Sequence, residues 1–127
     1  MDYRVESVIT LMRDDPHRLL TLSIMARSVN LSASRLHSLF NAEMSMPPAR
    51  YLKIVRLEAA KHLLETTFLS VKEIVALVGC NDVSHFLRNF KARYGVSPTE
   101  HRGQMSENSR QTAEELEPLH LTGNLAN

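Results

Sequence analysis

The sequence predicts an all-α fold, two helix-turn-helix units bridged by a long central helix, with about seven helices in total. Three observations predict it. Apolar residues recur at helical spacing over most of the first 105 residues. No segment sustains strand-like alternation, and neither Asn-Gly nor Asp-Gly is present to turn a hairpin. One stretch of helix-turn-helix character also occurs twice, about fifty residues apart.

In chain order, Val5, Val8, Ile9 and Met12 mark one face of a first helix. It ends near Asp14-Asp15-Pro16, because proline disfavours helical backbone in the residue before it. Leu22, Met25, Ala26 and Val29 form a short second stripe, with Thr21 placed to cap it. Ser32 is a natural N-cap for a third helix that buries Leu36, Leu39 and Phe40. Pro47-Pro48 breaks the chain and opens the long helix, since proline suits a first turn. Over roughly 18 residues that helix spans about 27 Å, with Tyr51, Leu52, Val55, Ala59, Leu63 and Leu64 inward. Ser70 and Glu73 have capping-box spacing ahead of Ile74, Val75 and Val78. Asp82 can cap a helix that buries Phe86 and Phe90, and Ser97-Pro98-Thr99-Glu100 repeats the box with proline at its first helical position. From about Gly103 the composition turns polar. Residues 106–127 read as a flexible acidic and polar tail, with a turn or two of helix over Thr112 to Leu116.

Composition bounds the function. A chain of 127 residues is one domain or two very small ones, too short to spare material for a deep enzyme cleft. No apolar run of membrane-spanning length occurs, and Met1-Asp2-Tyr3-Arg4 lacks the apolar core of a secretory signal. The lone Cys80 excludes an intramolecular disulfide and suits a reducing compartment, so a cytoplasmic location is expected. The net charge of +1 conceals an asymmetry. Residues 1–105 carry 14 basic and 10 acidic side chains, +4, whereas 106–127 carry one arginine and four glutamates, −3. The basic excess permits a nucleic-acid partner without requiring one.

The repeat carries most of the argument. LTLSIMARSVNLSASRLHSLFNAEMSMPP ends at Pro48, and LSVKEIVALVGCNDVSHFLRNFKARYGVSP ends at Pro98. Ala26 pairs with Val75, Val29 with Val78, Asn30 with Gly79, Leu36 with Phe86, Phe40 with Phe90 and Pro48 with Pro98. The second copy's turn is one residue longer. Asn and Gly tolerate the positive φ of a sharp turn between helices, and Ala26 or Val75 lets the two helices approach closely. A single such corner is often only an αα packing motif. Two, held apart by a helix of this length, suit recognition helices about one turn of DNA, near 34 Å, apart.

These residues resemble the DNA-binding domain of AraC/XylS-type bacterial transcription regulators. In the second copy Ile74, Gly79, Asp82, Phe86, Arg88, Phe90-Lys91, Tyr94-Gly95, Ser97-Pro98 and Arg102 follow the family signature. In the first, Ala26, Ser32, Leu36, Phe40, Pro48, Tyr51-Leu52, Arg56, Ala60 and Leu63-Leu64 do. The departures are Cys80 for phenylalanine, Asn30 and Ser45 for glycine, and His101 for tyrosine. The resemblance covers about Val5 to Arg102. It implies a domain over 1–105, with helix-turn-helix units at about 21–44 and 70–94 and a linker helix at about 48–66. It further implies binding as a monomer to an asymmetric duplex site, transcriptional activation, contacts to RNA polymerase, and in many members a preceding sensor domain. Met1 lies so close to the first helix that the C-terminal portion of a longer regulator is expected.

With Leu36, Leu39 and Phe40 inward, Ser34, Arg35, His37, Ser38 and Asn41 fall outside; the resemblance selects Ser34, His37 and Ser38 as base-contacting. In the second copy Val83, Ser84, Leu87, Arg88 and Lys91 fall outside. Arg88 suits guanine O6 and N7, and Val83 or Leu87 a thymine methyl, although both apolar residues can equally widen the core. Phosphate contacts are expected from Ser32, Arg35, Lys91, Arg93 and Arg102, and from helix-terminal amides behind Ser32, Asp82 and Ser97. The six histidines and Cys80 lack zinc-type spacing, and no Gly-rich phosphate loop or nucleophile elbow occurs. His85 and Cys80, which flank one turn, are expected to be packed side chains. No enzyme activity, metal, cofactor or membrane partner is expected. Double-stranded DNA is the expected partner, and a helical protein-interaction module that has lost DNA binding is the rival.

Overall fold

The computed structural model describes residues 1–106; the tail expected from 106 onward lies, Ser106 apart, outside the described residues. Its elements are α1 (Tyr3–Asp14), α2 (Leu22–Ser28), α3 (Ala33–Met44), α4 (Pro48–Thr66), α5 (Val71–Leu77) and α6 (Val83–Tyr94). Residues 98–106 are also helical and are called α7. Among the described residues there is no strand.

Most helices start on a local hydrogen bond. Asp2, Thr21, Ser32 and Asp82 accept from the amides of Arg4, Ile24, Arg35 and His85. Ser70 and Glu73 close a reciprocal capping box, whose amide contact to Ser70 holds the Glu73 carboxyl below the usual carboxylate range. Ser97 caps α7 through the Glu100 amide at 3.1 Å. Helix α4 has no side-chain cap; Pro48 at its first turn has no amide to satisfy.

Two hydrophobic cores form. Val5, Val8 and Met12 of α1, Leu20, Met25 and Ala26 around α2, Leu36 and Phe40 of α3, and Leu52 and Val55 of α4 make the first. Leu57, Ala60 and Leu64 of α4, Ile74, Val75 and Val78 around α5, and Phe86 and Phe90 of α6 make the second. Helix α4 therefore serves both, and its inward face changes between halves. At 3.6 residues per turn, Leu57, Ala60 and Leu64 point about 150° away from Pro48, Leu52 and Val55. This corrects the expected inward set. Ala59 continues the first stripe into the second half, where that face is no longer covered, so Ala60 is fully buried and Ala59 only partly. Tyr51, Leu63 and Leu39 are half-buried at core edges.

Candidate nucleic-acid interface

Each unit turns sharply on a residue of positive φ, Asn30 at 58° and Gly79 at 80°. The same backbone bond closes both turns: the Leu31 amide donates to Ala26 O at 2.9 Å, and the Cys80 amide to Val75 O at 3.1 Å. Ser45 and Gly95, at φ 60° and 84°, end α3 and α6 equivalently. Asn30 and Ser45, two of the departures noted in the sequence, thus occupy left-handed backbone. Asparagine tolerates that conformation well and serine at some cost.

Helices α3 and α6 are anchored by Phe40 and Phe90, both wholly inaccessible to solvent. Aromatic latches brace them at equivalent places. Tyr51 meets Phe40 edge-on at 5.6 Å and His101 meets Phe90 at 6.1 Å. These latch residues lie fifty positions apart, and that common offset was the sequence signal for a role that reading by helix faces missed. His101 Nε2 also lies 2.9 Å from Glu65 Oε2, a contact that holds the Glu65 carboxyl below the usual range.

With the inner faces anchored, the opposite faces are exposed. Ser32, Ser34, Arg35, His37 and Ser38 are open to solvent on α3 and its cap, as are Val83, Ser84, Arg88 and Lys91 on α6. Among the described residues no carboxylate pairs with Arg35, Arg88 or Lys91. Leu87 is half-buried and packs against the second core, so it serves the core as well as the outer face.

Two of the expected cations find partners within the domain, and one expectation is corrected. The Arg102 guanidinium, expected on phosphate, donates to the carbonyls of Leu64 (3.3 Å), Thr67 (3.3 Å) and Leu69 (2.5 Å), tying α7 to the C-terminal end of α4. Those acceptors include carbonyls that a helix C-terminus leaves unpaired, which is why a cation settles there. Arg93 turns toward α4, with Nη2 3.6 Å from Glu58 Oε1 and its guanidinium over the Tyr94 ring. Glu58 also pairs with Arg13 of α1 at 3.2 Å, so one carboxylate serves a cation from each unit. His85 is exposed rather than packed, whereas Cys80 does pack on the second core, where burial pushes its thiol pKa up.

Two capped, turn-linked helix pairs on one central helix, each with an exposed second helix, define a double helix-turn-helix DNA-binding domain. Residues 25–104 match the family model described as a helix-turn-helix domain. The chain belongs to this family, in its AraC-type branch. The transcriptional activator NphR of Rhodococcus sp is 44% identical over 79 residues, 62% of this chain and 23% of that protein. A solved AraC-type regulator from Chromobacterium violaceum superposes with TM-score 0.77 at 25% identity, covering 81% of this chain and 92% of that one. The DNA-binding domain of AdpA, solved with a target DNA, shares the fold at TM-score 0.79 and 21% identity, covering 85% and 97% of the two chains. The chain spans between 23% and 38% of the length of the curated relatives it matches.

Proposed function

We propose that this chain is the sequence-specific DNA-binding module of a bacterial transcription activator, laying α3 and α6 into successive major grooves of a promoter site. Carrying the reading is the paired construction: equivalent helices anchored by Phe40 and Phe90, each with an exposed polar or cationic outer face. Ser34, His37 and Ser38 of α3 read base edges in one groove, and Val83, Ser84, Leu87 and Arg88 of α6 read the other. Arg88 takes guanine O6 and N7, while Ser32, Arg35 and Lys91 hold phosphates. The naming of the Rhodococcus relative as a transcriptional activator and the target DNA on the AdpA domain support the same assignment.

Residues 1–105 form the DNA-binding unit of a longer regulator whose remaining length carries a sensor domain, and bound activator contacts RNA polymerase. The protein works in the cytoplasm, where the bacterial chromosome lies. Selection from random duplex tests the reading. Enrichment of two boxes with centres about ten base pairs apart is expected. A pool without an enriched motif, or no duplex binding at all, refutes it in favour of a protein-interaction module.

A further inference from the structure

Helix α4, 19 residues long, joins the units. Besides Glu58, which pairs with Arg13 of α1 and Arg93 of α6, a closer tie crosses between them on another flank. The first core ends on α4 at Val55 and the second begins at Leu57, so Arg56 falls about midway between the two inward stripes, facing the seam. Its Nε donates to Pro16 O at 3.2 Å and its Nη2 to Arg18 O at 3.3 Å, both in the α1–α2 loop of the first unit. Gly79, the turn residue of the second unit, sits against the same loop. A Cβ there would lie 2.7 Å from Pro16 O, 3.2 Å from His17 O and 3.4 Å from Arg56 Nε. The nearest of these is a backbone oxygen, which cannot swing aside as a side chain would.

Positive φ alone does not require glycine, since Asn30 takes the equivalent turn in the first unit and is exposed. What differs is the neighbour: the second turn is pressed onto the first unit. Beside this contact a cleft of about 340 Å³ separates α4 from α6, lined by Lys53, Asn81, His85 and Asn89 among others. Arg56 and Gly79 are therefore the close cross-tie on that flank.

We infer that Arg56 and Gly79 are positioning residues that fix the mutual pose of α3 and α6 and so set the spacing between DNA boxes that the protein accepts. The inference rests on the two-groove reading above. Each added base pair moves one box by about 3.4 Å and turns it by about a tenth of a helical turn, so a rigid pair of units must discriminate spacing.

The test measures affinity of the native chain, Arg56→Lys, Gly79→Asn and the control Asn30→Gly for duplexes with the selected boxes and spacers changed by one base pair either way. Native chain and control are expected to lose about tenfold on a one-base-pair change. Arg56→Lys keeps the charge but lacks the guanidinium's forked donors, and Gly79→Asn tolerates the backbone but not the close approach. Both are expected to lose less than about threefold on the same change while keeping a helical circular-dichroism spectrum and each single-box preference. If the native chain prefers no fixed separation, the two-groove reading falls and takes this inference with it. If the native chain discriminates spacing and the folded variants do so equally sharply, the inference alone is overturned.

Discussion

The first helix-turn-helix unit and the second are built to one plan from different materials. In the first, α1 supplies Val5, Val8 and Met12 beneath α2 and α3; in the second, Leu57, Ala60 and Leu64 of α4 do the same work. Tyr51 latches Phe40 with its hydroxyl accepting from Arg13, whereas His101 latches Phe90 while touching the Glu65 carboxylate. The outer faces diverge further. Helix α3 offers two serines, a histidine and one arginine, while α6 offers Arg88 and Lys91 beside Val83 and Leu87. Shared packing with unshared outer chemistry is what one duplicated scaffold needs to read two different boxes, because inner residues must fit one geometry and outer residues must fit different bases.

The largest expected effects test whether the cores are separate. Phe40→Ala and Phe90→Ala each delete a fully buried ring and should each cost about 3–5 kcal/mol in urea unfolding. Amide exchange should then quicken mainly in α2 and α3 for Phe40→Ala, and in α5 and α6 for Phe90→Ala. Equal loss of protection over both units in either variant would break the two-core description.

The next comparison concerns the outer faces. Arg88→Ala should lose about 1–3 kcal/mol of binding and relax preference at one base pair. His37→Ala, which removes no permanent charge, should lose less and relax a position in the other box. Affinity and base preference measured over single-substitution duplexes decide this. Full retention by Arg88→Ala, or a larger loss from His37→Ala, would reverse the ranking.

The smallest effect concerns the two latches. The hydrogen bond with His101, aided by Lys61, holds the Glu65 carboxyl below the usual range. A depressed carboxyl stabilises the fold above its unfolded value of about 4.3, and that contribution is lost as pH falls through the folded value. Because Glu65 lies at the surface, where solvent screens its pairs, Glu65→Gln should cost only about a few tenths of a kcal/mol at neutral pH. The gap between native and variant melting temperatures should close below about pH 4. A gap that widened on acidification would show that the carboxylate is not what steadies the second latch.

Much of this architecture is legible in the sequence. Thr21, Ser32, Ser70, Asp82 and Ser97 all cap helices where their spacing to the following residues predicted, because a cap involves atoms only three residues apart. Phe40 and Phe90 were visible as anchors for a related reason, one helix face repeating every three to four residues. The inward face of the central helix is legible at Leu52, Val55 and Leu64 but not at Leu57 and Ala60, because a helix serving two cores changes face midway and a single stripe leads to Ala59 instead. The intrachain partners of Arg93 and Arg102 are not legible in the sequence, because a cation's neighbours depend on which carboxylate or carbonyl folding brings near, and Glu58 and Leu64 lie over thirty residues away.

Helix positions, caps, turn residues, the duplication and the family are encoded locally, in patterns within a dozen residues or in their recurrence. Tertiary structure alone decided that α4 lends opposite faces to two cores, which cations stay free on the outer surface, and that Arg56 and Gly79 meet the Pro16 loop across the seam. Those outcomes hinge on the relative placement of units tens of residues apart. No local spacing encodes that placement; only the simultaneous packing of both units on one helix sets it.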